Sequence, residues 1–364
     1  MIDPGRRRTF LAAAALLATT AAPALAAKRK ARRPRAAVAT DDAPDVVTYG
    51  GRDDVMQFAD AVALRQGLEP AAVRAALAQA RFMPAVTRYI MPPPQGAAKN
   101  WAAYRARFVE PIRIGAGVSF WRDNEAWLRL AEERYGVPPE IVVGIVGVES
   151  IYGRHMGSFR VIDSLATLSF DFPAGRSDRS EFFRGELESW FVLCNNQAID
   201  PLDWQGSYAG AIGMAQFMPS SFNRFAVDLD GDGHVDLRRS AADVIGSVAH
   251  YLAQSGWRHG LAVRYPVVPP LDAANLATLR APDILPTFTA GQMSALGASL
   301  PESAAATDSA LALVELQNGA DDPTFVAGTT NFYAITRYNW SSYYAMAVTD
   351  LGEAVRDAVE GARS

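Results

Sequence analysis

Residues 139–153 read PEIVVGIVGVESIYG, and the choice of fold rests on this stretch. Pro139 and Glu140, following Val137-Pro138, form a strong helix start. Ile141, Val142, Val143, Ile145, Val146, Val148 and Ile151 then cover the helix nearly all round. A helix apolar on every face belongs inside a protein. Gly144 and Gly147 leave room for another backbone to come close. One carboxylate, Glu149, falls in this run. Burying a lone carboxylate costs several kcal/mol unless it is paired, hydrogen-bonded or protonated. A carboxyl kept protonated near neutral pH is what a general acid needs. The bland reading is a Glu near a helix end that reaches solvent or pairs with Arg154. The stretch alone leaves both readings open.

The flanking sequence favours a site. Tyr152-Gly153 and Gly157 end the helix just past Glu149 in a turn where a cleft can form. Further on, GSYAGAIGMAQFMPSSF (206–222) places glycines at 206, 210 and 213 before Gln216, Phe217, Met218 and a helix start at Pro219. Small residues admit a ligand to the backbone, while Gln, Ser and Tyr offer neutral hydrogen-bonding groups. No lysine or arginine cluster accompanies them, so the lining suits a sugar better than a phosphate.

Outward from this centre, 364 residues with 49% hydrophobic and 20% charged composition allow two or three globular domains. Residues 6–26, RRRTFLAAAALLATTAAPALA, read as a signal peptide cleaved after Ala26. The Arg7-Arg8-Thr9-Phe10-Leu11 order resembles a twin-arginine signal. The apolar run is short and broken by Pro23, which disfavours a membrane anchor. A soluble periplasmic protein is expected, and not a lipoprotein, since Cys194 stands far from the N-terminus. As the single cysteine it excludes an internal disulfide. Residues 27–46 read as a disordered linker, with six Lys or Arg and no acid in 27–40. The net charge is -4 overall, so the folded part is acidic and no nucleic-acid partner is expected.

Residues 47–96 predict a small helical domain, with Gly67 and Pro70 separating two helices and MPPPQG (91–96) ending it. Residues 97–260 form the mainly helical core. In 99–135 the aromatic residues Trp101, Tyr104, Phe108, Phe120, Trp121 and Trp127 recur at helical spacing and read mostly as core. Within 261–328 the pieces VRYPVVPPL, APDILPTFTAG and ALALVELQN predict a small β-rich domain. Residues 329–364 return to the core and end in a helix.

The segments GVESIYGRHMG, DSLATLSFDFP, FFRGELESW, GSYAGAIGMAQFMPSSF, AVDLDGDGHVDL and NFYAITRYNWSSYYAMAV occur in the order found in family B lytic murein transglycosylases, and the chain resembles that family over roughly residues 50–358. The resemblance implies a mainly α (α+β) fold: a lysozyme-like helical catalytic core with a small N-terminal helical domain and a small antiparallel β insertion. It implies cleavage of the MurNAc-β-1,4-GlcNAc bond of peptidoglycan glycan strands without hydrolysis, leaving 1,6-anhydroMurNAc ends. Glu149 is then the sole catalytic carboxylate, acid first and base second. The remaining core acids, Asp163, Asp171, Asp200, Asp203, Glu186 and Glu188, lie in segments that read as caps, turns or helix surface. The same resemblance assigns Ser207, Tyr208, Gln216, Phe217, Tyr251, Tyr338, Asn339 and Tyr344 to the saccharide groove. Core packing is the competing reading for Tyr251 and Tyr344. Arg179 matches one of the family's paired arginines, and Asp178 stands where the other would be. A water-using muramidase and a non-catalytic peptidoglycan-binding protein are the rival functions.

In DLDGDGHVDL (228–237), Asp228, Asp230 and Asp232 hold positions 1, 3 and 5 of an EF-hand-like loop. Gly233 falls at the turning position, and His234 offers its backbone carbonyl. Position 12 is Arg239 rather than Glu. The resemblance assigns the final ligand to Asp243, giving a structural Ca2+ in a 228–243 loop; no organic cofactor is expected.

Overall fold

The computed structural model describes residues 46–92 and 99–362. The signal-peptide and basic-linker readings lie outside them, apart from Val46, as does most of MPPPQG. The chain is mostly helical. Helix Pro139–Ser150 runs through the core, with Ile141 to Val148 all buried. The 20-residue C-terminal helix Ser342–Gly361 lies along it. Their contact is backbone to backbone: a Cβ on Gly144 would stand 2.2 Å from the Val348 carbonyl oxygen, and one on Gly352 would stand 2.0 Å from that of Glu140. Any side chain at either position would separate the pair.

Around this pair pack helices Pro111–Asp123, Glu125–Tyr135, Val161–Phe170, Ser180–Asn196 and Ala241–Gln254. Of the aromatic residues expected inside, Trp101, Phe120 and Trp121 are buried, while Tyr104, Phe108 and Trp127 are partly buried against the same core. N-terminal helices Asp53–Gln66 and Pro70–Gln79 are separated by left-handed Gly67 and joined by a third, Pro84–Tyr89. They are fastened to helix Val161–Phe170 by two acids. Asp171 accepts from Tyr49 Oη at 2.7 Å and from Arg52, while Asp163 accepts from the Arg81 N–H at 2.9 Å.

The region expected to be β-rich is mixed. Strands Arg264–Pro266, Ala312–Asn318 and Asp321–Gly328 form one antiparallel sheet with the third in the middle. Short helices Ala273–Arg280, Ala290–Ala295 and Glu302–Ala305 cover it, and Leu279, Met293, Leu311 and Leu313 share a small separate core. APDILPTFTAG is therefore not a strand. Only Phe288 bridges Leu311, and Thr289 caps the following helix with Gln292 in a reciprocal capping box. Among the described residues no helix is long and apolar enough to cross a membrane.

Candidate active site

Helix Pro139–Ser150 stops one residue after Glu149, and the stop is abrupt. Ile151 and Tyr152 both adopt left-handed backbone, with φ of 50° and 54°. A β-branched residue there is strained and must be held by its surroundings. The Ser150 hydroxyl supplies part of that hold, donating to the Met214 carbonyl at 2.7 Å and accepting the Gly153 N–H at 3.0 Å. The Tyr152 hydroxyl fills a slot beside two glycines; a Cβ on Gly117 or Gly147 would lie 2.5 or 2.4 Å from its oxygen. The reversal leaves Glu149 with part of its surface open to a cavity of about 530 Å3 and the rest among apolar atoms. Burial lifts its carboxyl to about 7, opposed by a 2.6 Å hydrogen bond that Tyr344 Oη donates to Oε1. The partner of Glu149 is thus Tyr344 and not Arg154.

Six of the other expected residues line this cavity with Glu149: Gln216, Phe217, Tyr251, Tyr338, Asn339 and Arg179. Phe217, Tyr251 and Tyr338 form one aromatic wall with ring centroids 4.9 to 5.7 Å apart. Gln216, itself left-handed at φ 50°, uses its amide nitrogen on the Gly213 and Met156 carbonyls. Asn339 is 7% exposed and lines the cavity. A side-chain amide lining a cavity offers both a donor and an acceptor to a polar ligand.

Three expected groove residues stand elsewhere. Ser207 is buried in the turn it builds, its Oγ accepting the Ala209 and Ala211 N–H groups at 3.2 and 3.0 Å. Tyr208 is partly buried outside the lining, packed on Tyr89. Tyr344 is fully buried behind Glu149, so the core-packing reading and the site reading are both satisfied: it touches the carboxylate from within the protein.

The cavity also holds groups that the sequence reading did not place there. Glu186, expected on a helix surface, is 5% exposed and lines the cavity. Burial raises its carboxyl, and both oxygens are taken by Ser220, through N–H at 2.9 Å and Oγ at 2.7 Å. It fastens the start of helix Pro219–Phe225. Three arginines, Arg179, Arg224 and Arg337, line a cavity expected to lack a cationic cluster. Arg176 lies near enough for its positive charge to act on both Arg179 and Tyr208. Tyr104, read only as core, is near enough to Glu149 for that charge, after burial, to help lift its phenol to about 12.

The carboxylates of Asp228, Asp230 and Asp232 converge, with one oxygen of each within 4.8 Å of the others. Asp228 also accepts the N–H groups of Gly231 and Gly233 at 2.7 and 2.8 Å, curling the loop around itself. Three hard oxygen donors, with no basic partner among the described residues, fit Ca2+. His234 keeps an exposed ring, and its N–H binds Asp232 at 2.8 Å. Asp243 is not in the cluster. It is buried, and its two oxygens accept the Leu229 and Asp236 N–H groups at 3.0 and 2.8 Å, pinning both ends of the loop.

The family described as "Transglycosylase SLT domain" matches residues 50–353. The chain is 38% identical over 319 residues to the membrane-bound lytic murein transglycosylase B of Escherichia coli K12, covering 84% of each protein. The solved Escherichia coli lytic transglycosylase SLT35 in complex with calcium aligns with a TM-score of 0.75 at 38% identity, over 86% of this chain and 95% of that one. Pseudomonas aeruginosa SltB3 in complex with NAG-anhNAM-pentapeptide aligns at 0.69 and 30% identity, over 84% and 79%. With a buried acid facing a sugar-sized cleft and matches spanning most of its length, the chain belongs to the transglycosylase SLT domain family and is a lytic murein transglycosylase.

Proposed function

We propose that Glu149 is the single acid and base of this reaction. With its carboxyl near 7, Glu149 is protonated in a large fraction of molecules at neutral pH. It gives its proton to the glycosidic oxygen as the bond from C1 of the muramic sugar breaks. The substrate's own N-acetyl group stabilises the charge at C1. The carboxylate then takes the proton of the C6 hydroxyl as O6 closes on C1, so the 1,6-anhydro ring forms and Glu149 ends protonated. No water is consumed. Paired-carboxylate glycosidases need a second carboxylate free to act, about 5 to 9.5 Å away. Glu186 is occupied by Ser220, which supports the one-acid reading over a hydrolytic muramidase.

The observation carrying the proposal is the pairing of a raised carboxyl with the Tyr344 hydroxyl at the cavity wall. Phe217, Tyr251 and Tyr338 would pack on sugar faces, while Gln216 and Asn339 would bond hydroxyl and acetamido groups. Ca2+ on Asp228, Asp230 and Asp232 would serve structure, drawing the loop together without taking part in the reaction. Ser207 and Asp243 act through the backbone they hold. The substrate is the peptidoglycan strand, reached in the periplasm after export directed by residues 6–26. Glu149→Gln tests the role: loss of murein cleavage with retained folding and glycan binding is expected, and unchanged turnover would reject it.

A further inference from the structure

We propose that Arg224 and Arg337 form a clamp at the cavity rim for free carboxylates of the peptide that the glycan carries; this rests on the transglycosylase reading of the same cavity. Arg224 lies at the end of helix Pro219–Phe225 and Arg337 just after helix Thr330–Thr336, and both line the cavity from exposed positions. Each is laid against aromatic faces. The Arg224 guanidinium sits 4.9 Å from the Phe225 ring centre, and that of Arg337 sits 5.3 Å from Trp340 and 5.8 Å from Tyr333. Arg337 also donates one long bond, 3.4 Å, to the Tyr333 hydroxyl, which steadies it and leaves its other N–H groups available. A guanidinium resting over a ring can keep an N–H edge for two parallel bonds to a carboxylate.

Neither arginine has a carboxylate partner among the described residues, whereas Arg258, Arg280 and Arg356 each do. The carboxylates of the cavity are engaged elsewhere, Glu149 by Tyr344 and Glu186 by Ser220. The two arginines flank Tyr251: its ring centre lies 4.8 Å from that of Phe225, against which Arg224 rests, and its hydroxyl donates to the Arg337 carbonyl at 2.6 Å. Arg179 joins the lining from a different segment and rests against the Phe182 ring at 4.6 Å. Arg224 and Arg337 are exposed cations on the cavity lining, so a peptide branch leaving a bound glycan toward solvent on this side would meet them.

The test compares wild type with R224Q/R337Q on two preparations of soluble murein strands. One carries peptides with free carboxylates, and in the other these are converted to methylamides. Two exposed charge-assisted contacts lead us to expect wild-type kcat/KM about five- to tenfold lower on the amidated strands, with KM carrying the change and added salt narrowing the gap. In R224Q/R337Q the gap closes because the rate on free-carboxylate strands falls. If that protein melts below wild type, R224K/R337K is read instead, keeping charge but losing the fork, with the gap reduced by roughly half. A gap that persists in the variants, no gap in wild type, or equal losses on both preparations would overturn the clamp. Failure of the underlying reading looks different: wild type would release anhydro-ended products from neither preparation.

Discussion

Replacing Glu149 by Gln should raise stability, and only above a definite pH. In the folded protein the carboxyl sits near 7, against an ordinary value of 4.5, because burial disfavours its charged form. Well below pH 4.5 the group is protonated in folded and unfolded chains alike, and the wild type suffers no penalty from it. Between 4.5 and 7 the unfolded chain releases the proton while the folded chain holds it, so stability falls as pH rises. Above 7 the loss is complete. The interval of 7 minus 4.5 corresponds to at most about 3.5 kcal/mol at roughly 1.4 kcal/mol per pKa step. The amide of the Glu149→Gln variant cannot ionise and escapes that loss. Thermal melts of the two proteins at about pH 4 and about pH 8.5 measure it. The variant should match wild type within about 0.5 kcal/mol at the acid end and exceed it by up to ~3.5 kcal/mol at the alkaline end, a Tm gain of roughly 7 °C for a domain this large. A difference that does not change with pH would refute the claim that Glu149 is a desolvated acid.

Tyr344→Phe removes the hydrogen bond that favours the Glu149 carboxylate, so the carboxyl should rise further and the alkaline limb of the pH–rate profile should move up by about one unit; a limb that stays or moves down contradicts the assignment. Glu186→Gln should keep turnover within about tenfold of wild type, whereas Glu149→Gln should lose about a thousandfold or more; comparable losses in rates of murein solubilisation would point to two acids. Chelation should lower Tm and Ca2+ restore it, by about 2.7 kcal/mol of stability at a hundredfold excess over Kd. Asp230→Asn with Asp232→Asn should abolish that response, and a calcium response surviving in this double variant would remove the metal from the loop.

The sequence made the buried helix legible because apolar residues on every face have one physical outcome, and Glu149 stood out against them. Its setting could not be read, since Tyr344 approaches from a helix 195 positions away. Glu186 was misplaced for a related reason: helical periodicity marks which side of Ser180–Asn196 is polar, but not that Ser220 covers part of that side. The cavity arginines come from three separate segments and cluster only in the folded chain. Asp243 satisfies backbone N–H groups in the loop that spacing alone could equally have left to a cation. In the sheet region, prolines and β-branched residues marked irregular chain correctly but did not distinguish a strand from a capped turn, as Phe288 to Gln292 illustrate.

The central claim is that one acid cleaves the glycan without water. Murein digested in 18O-labelled water and examined by mass spectrometry tests it directly. Wild type should give muramic ends lighter by one water than reducing ends, with no 18O incorporated, and Glu149→Gln should give neither product. Reducing ends carrying 18O would contradict it.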